Sequence, residues 1–176
     1  MRALPTVRTW IDSLRVQYAG AGQPAASLGF PRLADYFPDA VLQSARVVTV
    51  AKVPFPPIVD MGLTEFADLS QMALSGVTYD DLVFVHQSLR TERVHFHELV
   101  HVVQWRTLGV DRFLLTYGAG VLEHGYAHSP LEAITYDLQS DFDRGVAMPD
   151  LEARVAAHAR ETAAACDRLF DEGRRR

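Results

Sequence analysis

The pentapeptide His97-Glu98-Leu99-Val100-His101 constrains this chain more than any other stretch, because it sets three polar side chains into an apolar run. Val94, Phe96, Leu99, Val100, Val102 and Val103 surround the histidines. Thr91 stands in front as a helix cap and Gly109 behind as a C′ glycine. Residues 92–107 therefore read as one helix, buried on most sides. Residues four apart share a helical face, so His97 and His101 can direct both imidazoles at one ion. Glu98, about 100° further round, can reach a water beside that ion without occupying it. Buried imidazoles need partners, and a metal ion would satisfy both.

Seven histidines and eight glutamates among 176 residues would give H-E-x-x-H by chance in about one of 80 shuffled chains. The competing reading is a pair of core histidines bonded to carbonyls, with Glu98 in a surface ion pair. The apolar setting argues against it. His95, two positions before His97, faces elsewhere and reads as structural. Gln104 lies seven residues past His97, returns to the same face, and can support the ligands from behind.

A catalytic zinc takes three protein ligands and keeps a position for water. Glu123, His124, His128, Glu132 and Asp137 are the downstream candidates for the third. Glu132 sits in the first turn of the helix opened by Ser129-Pro130, where it could instead close a capping box with Ser129. The ligand reading is preferred, because without Glu132 the site lacks an anionic arm. His124 and His128 flank a glycine turn and stay as alternatives.

The rest of the chain predicts one α+β domain over 1–176, with short strands in the N-terminal half and helices after His86. Val7, Trp10, Ile11, Leu14 and Tyr18 mark a helix over 5–19. Residues 25–44, with Pro31 and Pro38, suit short helical turns. Arg46–Val53 reads as a strand stopped by Pro54-Phe55-Pro56-Pro57. Gly76–Val85 reads as a strand or a hairpin, with Asp80-Asp81 at the turn. Asp111 is expected to cap a helix to about Glu123, Gly145 to end the next, and 149–172 to form the last. The single cysteine, Cys166, allows no internal disulfide and suits a reducing, cytoplasmic setting. No secretory signal or membrane span is legible, and a net charge of −5 argues against a nucleic-acid partner.

The run His97-Glu98-Leu99-Val100-His101-Val102-Val103-Gln104 resembles the H-E-L-x-H-x-x-Q helix of small bacterial zincin-like metallopeptidases of the gluzincin kind. Gly125-Tyr126, then Ser129-Pro130-Leu131-Glu132 and Tyr136, resembles their second motif, N-P-x-E-x-E-A. The similarity covers 76–145. It implies a compact zincin-like fold with a strand edge near the active-site helix, and zinc held by His97, His101 and Glu132. Ile134 stands where that motif carries its second glutamate, so the resemblance leaves Glu132 as the ligand.

The expected function is zinc-dependent hydrolysis of a peptide or protein substrate, with Glu98 as general base. Tyr126 ranks first for the oxyanion, ahead of Tyr136, Tyr117 and His128. The Leu82–Val85 strand is expected to pair an extended peptide along its edge. The other readings are a non-catalytic zinc-binding structural or interaction module, and a delivered, toxin-like protease.

Overall fold

The computed structural model describes residues 3–174. Helix α1 (Leu4–Tyr18) is followed by β1 (Gln23–Pro24), two 3-10 turns, α2 (Asp39–Ser44) and β2 (Arg46–Val50). A long connection with one 3-10 stretch, Thr64–Gln71, leads to β3 (Gly76–Tyr79) and β4 (Leu82–His86). Four helices then run in sequence: α3 (Glu92–Leu108), α4 (Val110–His124), α5 (Pro130–Asp143) and α6 (Leu151–Arg174). The four strands lie in the N-terminal half, after α1, and four consecutive α-helices follow β4, the mixed α+β order expected from the sequence.

The sheet order is β1-β2-β4-β3. β2 and β4 pair in parallel, from Arg46 opposite Leu82 to Val50 opposite His86. β3 folds back antiparallel on β4 across a turn in which Asp80 adopts φ 61°. That left-handed conformation is one aspartate tolerates better than most residues. β4 is thus an interior strand with both edges paired, which overturns the expectation that Leu82–Val85 docks a peptide by its edge. The free edge near the helices belongs to β3.

The period-2 alternation of the strands divides the core in two. Val47, Val83 and Val85 face Phe96, Leu99, Val100 and Val103 of α3. Val48, Leu82 and Phe84 face the other way, onto Val7, Ile11 and Leu14 of α1. With α5 and α6 closing its far side, α3 is enclosed all round, and every residue from His95 to Trp105 is buried. Thr91 starts it, its hydroxyl accepting from the Val94 amide at 3.3 Å. Gly109 ends it with φ 71°.

Two caps differ from expectation. α4 begins at Val110, so Asp111 lies in its first turn and pairs with Arg8 at 3.0 Å instead of capping. Ser129 precedes α5 but makes no side-chain cap bond, because its hydroxyl donates to the Tyr126 carbonyl at 2.9 Å. Among the described residues no helix is long and apolar enough to cross a membrane.

Candidate metal centre

Three elements converge on the site. α3 presents His97 and His101 one turn apart, and the first turn of α5 presents Glu132 between them. A close approach of α4 to α5 makes this possible: a Cβ at Gly120 would lie 3.0 Å from the Pro130 ring. All three side chains are buried, and one ligand atom from each falls within 4.8 Å of the others. The Nε2 atoms of the two histidines are 3.1 Å apart. Glu132 Oε1 is 3.4 Å from His101 Nε2, and Oε2 is 3.5 Å from His97 Nε2.

The spacing matches what an ion requires. Two ligands at about 2.0–2.1 Å on a tetrahedral centre stand about 3.3–3.4 Å apart. The hydrogen-bond network points the same way. Gln104 donates its amide to the Leu131 carbonyl at 2.9 Å and to the Thr135 hydroxyl at 3.3 Å. That leaves its oxygen facing His101 Nδ1 at 2.8 Å. His101 therefore carries its proton on Nδ1, and in its neutral form turns a bare Nε2 lone pair towards His97 and Glu132. Glu132 Oε2 is buried with no hydrogen-bond donor. Lone pairs that meet in a dry space are costly unless a cation joins them. The cluster can hold a metal ion.

Without the ion, a proton is the available cation. Burial works against the charge on His101, but the Glu132 carboxylate outweighs it and the imidazole is pushed up to about 9. Burial also opposes the charge on Glu132, and there the histidines prevail, holding its carboxyl well below the usual carboxylate range. A metal must displace that proton, as ligand imidazoles generally require.

Glu132 is not a cap. Tyr117 donates to its Oε1 at 2.7 Å, and its carboxylate is turned into the cluster. His124 and His128, the alternatives, are exposed, and His124 pairs at 3.7 Å with Glu123. Asp137 is exposed as well. His95 bonds the Thr91 carbonyl at 2.7 Å and packs its ring on Phe30, away from the cluster.

Glu98 lies on the sheet side of α3, buried, with Thr78 donating to its Oε2 at 2.7 Å. Burial raises its pKa against the opposing pull of the two histidines. The same cavity is lined by His97, Glu98, His101, Glu132, Tyr117 and Tyr126. Burial, with the Glu132 carboxylate nearby, raises the pKa of Tyr126 so that it stays a phenol. Tyr136 lays its ring 4.9 Å from that of His97.

Sequence reasoning missed Thr78, Gly76 and Gln139, and placed Tyr117 only as an oxyanion candidate. Gln139 was findable. It stands seven residues past Glu132, on the same face of α5, and its side-chain amide lies 2.8 Å from His97 Nδ1. Thr78 and Tyr117 reach the site through tertiary packing, which no local spacing announces.

Comparison with models of protein families, with characterised proteins and with solved structures finds no match to this chain.

Proposed function

We propose that this chain is a zinc-dependent hydrolase of peptide bonds. The observation that carries the proposal is the juxtaposition of two kinds of group in one cavity wall. A His, His, Glu donor set stands beside a second buried carboxylate, Glu98, that is not part of the same cluster. The H-E-x-x-H spacing and the resemblance to zincin-like metallopeptidases support it further.

A zinc ion bound by His97, His101 and Glu132 would supply Lewis acidity and a more acidic water. Glu98 then takes a proton from the attacking water and passes it to the leaving amine. Its desolvated, raised pKa suits an acceptor that must give the proton back. Tyr126, a phenol in the cavity wall, donates a hydrogen bond to the carbonyl oxygen as it gains charge. Tyr117 and Gln104 hold Glu132 and His101 in place. A non-catalytic metal module would use the same three ligands but has no need of Glu98, which favours turnover.

The test is metal analysis of protein purified without added metal, followed by digestion of unfolded protein and mixed peptides by the zinc-loaded chain. One zinc per chain and cleavage that disappears in Glu98→Gln, with zinc retained, are the expected results. Cleavage that persists in Glu98→Gln would overturn the assignment.

A further inference from the structure

We propose that the cavity beside the metal centre binds extended peptides carrying large, uncharged apolar side chains next to the bond to be cleaved. The inference rests on the reading of the cluster as a catalytic metal site and adds the substrate class. The cavity measures about 690 Å³, in the middle of the range of small-ligand sites and more than one side chain needs. His97, Glu98, His101 and Glu132 line it at one end, and Val7, Trp105, Phe113 and Leu114 form apolar walls.

The connection between β2 and β3 closes another side. Its 3-10 stretch Thr64–Gln71 buries no residue, yet Phe66 and Leu69 line the cavity. Half-buried apolar side chains that line a space of this volume keep part of their surface uncovered, and a substrate side chain would cover it. Charge narrows the class. Among the described residues no lysine or arginine lines the cavity, and the charged residues there outside the centre are Glu65 and Glu123, both exposed. An acidic side chain or a terminal carboxylate would enter without a partner.

A peptide fits better than a hydrocarbon chain. β3 is the outermost strand of the sheet, and Gly76, Val77, Thr78 and Tyr79 all line the cavity. Its free backbone edge can pair with an extended peptide, whose alternate side chains then turn to one side. An acyl chain would cover the same edge and leave its polar groups unpaired.

Gly118 of α4 offers a way to fill the space. A Cβ there would stand 3.4 Å from the tip of the Phe66 ring, in ordinary contact with it, and both residues line the cavity. Gly118→Leu adds a branched side chain at this wall, pressing on Phe66 and narrowing the cavity, and favours the helix.

Hydroxamates separate the claims, since they bind zinc directly. The zinc-loaded full chain is titrated calorimetrically with acetohydroxamate, a Leu-Phe peptide hydroxamate, its Asp-Asp counterpart and decanohydroxamate. The Leu-Phe compound should bind about ten- to a hundredfold tighter than acetohydroxamate. The Asp-Asp compound should lose that gain, and decanohydroxamate should fall between. Gly118→Leu should abolish the gain while keeping zinc content and acetohydroxamate affinity, and Ala119→Leu repeats the test if that variant fails to fold. Equal affinity for acetohydroxamate and the Leu-Phe compound overturns the proposal. Tightest binding by decanohydroxamate overturns it in favour of an acyl ligand. Failure of acetohydroxamate to bind a chain that holds zinc removes the catalytic-metal reading itself, and the substrate class with it.

Discussion

Gly76 and Glu98 touch so closely that a side chain on the strand would have to displace the carboxylate: a Cβ on Gly76 would lie 2.6 Å from Glu98 Oε1. The edge strand thereby sets where the carboxylate sits, with Gly76 bounding one oxygen and Thr78 donating to the other at 2.7 Å. Gly76→Ala must push Glu98 aside. A displacement of this order costs about a hundredfold in rate when the group acts on the reacting atoms. The expected outcome is a loss of that size in kcat, with zinc content unchanged. Thr78→Val should move in the same direction, because it leaves a buried carboxylate oxygen without its donor. Steady-state kinetics beside metal analysis checks both variants.

The metal should also stabilise the fold. A ligand that binds only the folded chain adds about 2.7 kcal/mol at a hundred times its dissociation constant. For a chain of this size that corresponds to a rise of about 5–10 °C in Tm. Chelation should reverse it, and thermal melts with and without chelator measure it. His101→Ala should show neither bound zinc nor any response to added zinc. A chelator-independent Tm in the native protein would count against a site formed only on folding.

Glu132→Gln distinguishes ligand from cap. The side chain takes no part in a capping box, and its carboxylate accepts from Tyr117 and faces the histidines. Glutamine can keep the Tyr117 bond, yet is a poor zinc ligand. Zinc affinity should therefore fall by orders of magnitude while helix content by circular dichroism stays near native. A variant that metallates normally would remove Glu132 from the ligand set.

The sequence made the parts of the site carried by helical period readable. His97 and His101 at i, i+4, and Gln104 at i+7, follow from one helix whose caps are local. Glu132 was readable as a candidate, but the choice between ligand and cap depended on where Ser129 sends its hydroxyl, and that is decided by the turn at Tyr126. The sheet was harder. Leu82–Val85 has the continuous apolar composition of a strand covered on both faces, and such a strand is interior, not an edge. β2 lies beside it through a parallel pairing made across 31 intervening residues, from Val50 to Leu82, and nothing local encodes that register. The cavity escaped for the same reason, since its walls come from α1, β3, α3, α4 and the β2–β3 connection together.

The two glutamines behind the histidines differ in a way that metal affinity should reveal. Gln104 is locked: its amide is used by Leu131 and Thr135, so its oxygen always faces His101. Gln139 is contested. Its oxygen can accept from His97 Nδ1, the arrangement that frees Nε2 for a metal, or turn to accept from the Arg93 guanidinium, which also pairs with Asp143 at 2.7 Å. In the second orientation the amide donates to His97 Nδ1 at 2.8 Å and the ring proton moves to Nε2, where it opposes binding. Metal loading must therefore turn the Gln139 amide against Arg93. Gln139→Glu removes the conflict, because a carboxylate accepts from both neighbours at once, and should tighten zinc binding by about tenfold. Gln104→Ala should weaken it by about ten- to a hundredfold, the usual effect of losing a ligand's hydrogen-bond partner. Competition with a chromophoric chelator gives both constants. Weaker binding in Gln139→Glu would show that Arg93 does not compete for this amide.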